Sequence, residues 1–145
     1  MDNKHPWTLV NSENVKPLVM GDYSSKMLTG DEMAGMPVIN INEGTLLPGA
    51  RTEGGAHEET EIYYIVSGEG DVWLDDDRIP VKNGDILVIP PYVFHWIDNT
   101  KSDKPFVLFT FWPRQEQNGV YFARKDAWGT SVAHFDPDYT KKRLG

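Results

Sequence analysis

Residues 49–70 read "GARTEGGAHEETEIYYIVSGEG", with one histidine, His57, set among glutamates just ahead of an aromatic and β-branched run that closes on Gly68-Glu69-Gly70. The run "EIYYIVSG" has the length and residue types of a strand, and the glycines around it mark turns. Side chains four apart on a strand share a face. Taken as one extended segment, residues 57–63 put His57, Glu59, Glu61 and Tyr63 on one face, while Tyr64 projects to the other.

Working outward, the same kind of run recurs as "MPVININEG", "DVWLDDD", "RIPVKNGDILVIPP", "FHWIDN", "KPFVLFTFW" and "NGVYFAR". Pro48-Gly49, Ser67-Gly68, Asn83-Gly84, Pro90-Pro91 and Asn118-Gly119 separate them at hairpin-like intervals, with no helix-length periodic segment between strands. The pattern predicts an all-β sandwich or barrel. Only "SENVKPLVM" and the tail "DYTKKRLG" have room for a short helix. We assign residues 1–145 to a single domain with its core barrel at about 36–113. In "MPVININEG", Asn40 and Asn42 alternate with isoleucines; a cavity face and the wet face of a sandwich are both open to them, and the wet face is favoured.

Composition narrows the function. A net charge of −8 with scattered Lys and Arg offers no basic stripe, so neither nucleic acid nor an anionic membrane is an expected partner. The absence of cysteine excludes disulfides, a thiolate nucleophile and Cys-ligated zinc. The N-terminus "MDNKHPWTLVNSENVKP" shows no apolar signal core, and no run approaches the roughly 20 apolar residues that span a bilayer. The expected location is cytoplasmic.

Two spacings meet around His57. From Gly49, five residues lead to Gly55, one more to His57, three to Glu61 and six to Gly68; from Gly84, five lead to Pro90, one to Tyr92, two to His95 and three to Asn99. Here the chain resembles the cupin superfamily of small conserved-barrel domains, whose motifs are G(X)5HXH(X)3,4E(X)6G and G(X)5PXG(X)2H(X)3N. Each motif carries one departure: Gly55 stands where the family has a leading histidine, and Tyr92 where it has a glycine. The resemblance implies a cupin β-barrel, or jelly roll, with short terminal extensions.

The chemistry of the residues agrees with that likeness. If the "GDILVIPPYVFH" hairpin returns beside the strand of Glu61, then His57, Glu61 and His95 converge as two imidazoles and a carboxylate, a face suited to one divalent transition metal with open positions. Iron is the first expectation, with Zn, Mn or Ni as alternatives. In the family the missing histidine would be a fourth ligand, so the site here is more open. Glu53 and Glu59 are the nearest substitutes in sequence, although a solvated acidic loop accounts for both.

Tyr63 and Glu59 are the candidate catalytic groups. Arg51 and Arg114 are candidates for holding an anionic substrate through their forked donors, while His5 and His134 match no ligand spacing. The aromatics, Trp112 among them, are assigned mostly to the core. Three open metal positions suit a non-haem iron oxygenase or dioxygenase, as in the facial-triad cupins this form resembles, acting on a small oxygen-rich molecule. Two alternatives stand beside it: an O2-independent metal-dependent isomerase, lyase or decarboxylase, and a non-catalytic binder of a sugar or small acid. The resemblance also implies a homodimer.

Overall fold

The computed structural model describes residues 7–113, 119–128 and 142–143. A 3-10 turn at Ser12–Asn14 precedes a hairpin of β1 (Leu18–Met20) and β2 (Tyr23–Thr29), and a short helix α1 (Asp31–Ala34) leads into β3 (Asn40–Leu46). Then come β4 (Glu61–Ser67), β5 (Glu69–Leu74), β6 (Asp77–Lys82), β7 (Ile86–Ile89), β8 (His95–Asp98), β9 (Phe106–Trp112) and the helix α2 (Gly119–Trp128). The antiparallel strands form a six-stranded sheet ordered β1-β2-β3-β9-β4-β7 and a three-stranded sheet ordered β6-β5-β8. This is the all-β jelly roll expected. Among the described residues no helix is long and apolar enough to cross a membrane.

Alternation along three adjacent strands builds the interior. Burial follows every second residue of β3 and β9 from end to end, and Glu61, Tyr63 and Ile65 of β4 take the same face. The core cluster joins Leu46, Ile65, Phe106 and Leu108 of the large sheet to Val72, Val81 and Ile97 of the small one. A second requirement is met by Gly68, which closes the β4–β5 turn at φ +85° where an added Cβ would lie 2.5 Å from the Pro105 carbonyl oxygen. Only glycine satisfies both the left-handed backbone and that approach.

Three expectations are corrected. The hairpin β1–β2 extends the large sheet to Leu18, in a region where only a short helix was considered. "NGVYFAR" lies in helix α2 and not in a strand: Arg124 is fully buried while Phe122, two residues away, is 57% exposed. Positions two apart share a face on a strand but lie about 200° apart on a helix. Finally, Asn40 and Asn42 are buried at 2% and 6% exposure and face inward, whereas Ile39 is 61% exposed. The outward face of this sheet carries Ile41, Phe111, Ile62 and Val88 in register, so apolarity alone did not mark the inner side.

Candidate metal centre

Glu61 opens β4 with its side chain inward and almost fully buried. Contrary to expectation, His57 is not on that strand; it sits in the loop that precedes β4. The loop is held by backbone bonds: the Tyr92 N–H donates to the His57 carbonyl at 2.8 Å. His95 begins β8, a strand of the facing three-stranded sheet and not a neighbour of the strand of Glu61. Across from it, Gly55 exchanges both backbone hydrogen bonds with His95 at 3.1 and 3.0 Å. The next glycine back, Gly54, adopts φ +83° and passes so close to β8 that a Cβ would meet the His95 carbonyl oxygen at 2.6 Å. The site therefore joins the two sheets, and Gly54 lets the loop press against β8.

The donor atoms meet. Nε2 of His57 lies 3.4 Å and Nε2 of His95 3.9 Å from the same Glu61 carboxylate oxygen, and ligand atoms of the three residues fall within 4.8 Å of one another. Nδ1 of His57 contacts the Glu59 carbonyl at 2.8 Å and Nδ1 of His95 the Val93 carbonyl at 2.8 Å. A carbonyl only accepts, so each Nδ1 carries a proton, and in the neutral ring each Nε2 presents its lone pair to the cavity. The Glu61 carboxylate raises the pKa of His57 above its ordinary value, against the lowering effect of burial, with Glu59 adding in the same direction.

Both Nε2 of His57 and the inward oxygen of Glu61 are buried without a hydrogen-bond partner. Buried polar atoms left in this state are costly. Two imidazole lone pairs and a carboxylate turned toward one point match a divalent transition metal in donor type and in support by backbone carbonyls. The Trp112 ring packs on the His57 ring with centroids 4.3 Å apart, and the rings of His57 and His95 stand edge to face at 4.9 Å.

These residues line a cavity of about 790 Å³ whose walls include Tyr63, Asn42, Thr110 and Trp112, with Arg51, Glu53 and Asp22 also on its lining. Tyr63 is 5% exposed and Tyr64 37%, so parity assigned them to the right faces. The Tyr63 and His95 ring centroids are 6.1 Å apart. Glu59 is not on the cavity wall; its carboxylate stands 3.9 Å from Nδ1 of His57, behind the ring. Tyr92 is 71% exposed and holds φ +64°, which is why glycine suits that position. Gly55 has nothing within 4 Å of where a Cβ would stand, so the vacated ligand position is open space. Arg114, His5 and His134 lie outside the described residues.

Sequence reasoning missed Thr110 and Trp112 as cavity residues and placed the cavity face second for Asn42. In register, Asn42 stands opposite Thr110, Thr110 opposite Tyr63, and Trp112 opposite Asn40. The signal was present in the parity of Tyr63, had the pairing of β4 with β9 been known. Asn99 of the second motif is structural, since its amide donates to the carbonyls of Leu46, Leu47 and Lys104.

Residues 42–112 match the family model described as the cupin domain. An uncharacterised protein of Methanocaldococcus jannaschii is 49% identical over 39 residues, covering 27% of this chain and 31% of that protein. A glucose-6-phosphate isomerase of Thermococcus onnurineus is 31% identical over 61 residues, covering 39% of this chain and 32% of that protein. The chain thus matches about a third of the length of these curated relatives. Among solved structures, a protein of Thermotoga maritima described as a predicted oxalate decarboxylase superposes with a TM-score of 0.64 at 24% identity, covering 72% of this chain and 97% of that one, a likeness of fold. Motif spacing, sheet order and family model agree: the chain carries a small cupin domain, built around residues 42–112.

Proposed function

We propose that this chain is a metal-dependent enzyme that moves a proton on a small, anionic, oxygen-rich substrate bound through two neighbouring oxygens. The observation that carries this reading is the convergence in a large cavity of donor atoms of His57, Glu61 and His95 within 4.8 Å of one another, with Nε2 of His57 and the inward oxygen of Glu61 buried and without a hydrogen-bond partner. A divalent cation held by these three residues supplies Lewis acidity, which makes a C–H beside a coordinated carbonyl more acidic. Tyr63, whose ring stands near His95 in the same wall, is the group that carries the proton. Arg51 on the cavity lining takes the anionic end of the substrate. Trp112, Leu46 and Ile97 supply apolar wall that limits water around the reacting atoms. The sequence match to an isomerase supports proton transfer as the first reading.

A second reading, the iron oxygenase that the sequence put first, is favoured by one observation. Only three protein donors converge among the described residues, and the space at Gly55 leaves the side next to His95 open for a second ligand such as O2.

The test is exchange of the carbon-bound proton next to a carbonyl into D2O, followed by NMR for a panel of hydroxy acids and sugar phosphates, with Zn-, Mn- or Ni-loaded protein under nitrogen. Exchange is expected, with Tyr63→Phe about 100-fold slower at unchanged metal content. Oxygen uptake by the Fe(II) form, with no exchange under nitrogen, overturns proton transfer in favour of the oxygenase. Equal activity from metal-free protein removes the metal from both.

A further inference from the structure

One fully buried cation is tied to the wall of the cavity. Arg124 of α2 is 0% exposed, and its Nη2 donates to Ser25 Oγ at 2.5 Å and to Asn42 Oδ1 at 2.6 Å. Ser25, itself 0% exposed, donates a hydrogen bond from its hydroxyl to the same Asn42 oxygen at 2.7 Å. A guanidinium only donates, so the Asn42 atom facing it must be the carbonyl oxygen, and the orientation of this amide is decided by chemistry. Its Nδ2 therefore points the other way. Among the described residues no acceptor meets Nδ2, and the atom is not sealed, in contrast to Asn40, both of whose amide atoms are buried and unpartnered. Asn42 lines the cavity that holds the three metal-site residues, in register with Thr110 and, through it, with Tyr63.

We infer that Asn42 is a substrate-binding residue whose amide NH2 group donates a hydrogen bond to an acceptor oxygen of the substrate, and that Arg124 and Ser25 are positioning residues that hold it in that orientation. The ligand it selects carries, besides the two oxygens for chelation, a further carboxylate, carbonyl or phosphate-type oxygen. The choice of ligand rests on the metal-centre reading, whereas the direction of the amide does not. A buried charge is retained here because it holds two acceptors at fixed positions. A carboxamide clamped through its oxygen loses no rotamer freedom when its nitrogen meets a ligand.

The experiment compares wild type with Asn42→Asp. Aspartate keeps an oxygen for Arg124 and Ser25, so the clamp survives, while the N–H donors into the cavity are replaced by an acceptor. Malonate is the probe, because one molecule offers an oxygen from each carboxylate for chelation and two more as acceptors. Calorimetric titration of Zn-loaded protein is expected to show malonate binding about tenfold weaker in Asn42→Asp, with unchanged metal stoichiometry and an unchanged or raised melting temperature. Asn42→Ala removes the donors without adding charge and should weaken malonate as well, which separates loss of donors from repulsion. Equal affinity in wild type and Asn42→Asp, at intact metal content, overturns the inference and leaves Asn42 a wall residue. Wild type that takes up no metal overturns the metal centre instead. The amide is then tested by malonate binding to the metal-free proteins, where no difference between wild type and Asn42→Asp, or no binding at all, overturns it.

Discussion

The interior of the barrel has two ends built from the same three strands. Going inward along β3, β4 and β9, the site end presents Asn40 and Asn42, Glu61 and Tyr63, and Thr110 and Trp112; the closed end presents Ile65, Phe106 and Leu108. The same strands run through both ends, yet one holds unpaired buried atoms of Asn40 and Glu61 beside open space and the other reaches complete apolar burial. The closed end contributes hydrophobic stability of about 25 cal/mol per Å² buried, and the site end leaves costly polar atoms in place. The difference teaches that this barrel concentrates its stability at one end and holds reactive side chains at the other. The second motif spans the divide: His95 serves the site, and Asn99 clasps three carbonyls at the closed end.

The sharpest test of that division is His95→Ala. It should lower metal affinity by more than the ~10–100-fold that loss of a mere supporting partner costs, while the melting temperature of the metal-free protein barely moves; elemental analysis and calorimetry read the two. Retention of about one metal per chain would break the assignment of the site end. Phe106→Ala is the mirror experiment: urea unfolding should register a loss of about 3–5 kcal/mol, with the folded fraction still taking up metal in full. Should metal uptake collapse together with stability, the two ends are one cooperative unit with no separate roles.

Gly55→His probes the open side of the site. With empty space at the Cβ position and no left-handed backbone requirement, the variant should fold as wild type does. A fourth imidazole should tighten metal about tenfold in competition with a chelator and hinder two-point chelation of substrate. Unchanged metal affinity would mean the new imidazole does not reach the metal. The smallest expected effect belongs to Tyr92→Gly. A non-glycine residue at φ +64° is strained, so relief of about 1–2 kcal/mol is partly offset by the added flexibility of glycine, leaving a gain of about 0.5 kcal/mol in thermal unfolding. A loss instead would show that the Tyr92 ring, though exposed, contributes packing to the loop that carries His57.

Much of the fold was legible in the chain because hairpin turns and period-two runs are local signals. β3 to β9 lie where those runs predicted, and the parity of Glu61, Tyr63 and Tyr64 held because no bulge falls between them; the register shift in this pairing comes later, between Ile65 and Ser67. The hairpin β1–β2 escaped because "YSSKMLT" has weak strand composition and is held by pairing with β3. Helix α2 escaped because its aromatic run also fits a strand, and only the burial of Arg124 shows which face is turned inward.

By itself the sequence determined the succession of strands β3 to β9, the turn glycines and the three residues of the candidate metal site, because the motif spacings are properties of the chain. Only the tertiary structure decided that His57 reaches Glu61 from a loop, that His95 arrives from the facing sheet, and that Asn42 turns inward under Arg124. The physical reason is that both faces of the large sheet are apolar along β9, with Phe106 and Leu108 inside and Val107, Phe109 and Phe111 outside. Hydrophobic alternation then carries no sign, and the inner face is selected by the opposing sheet, the helix and the loop that close over it.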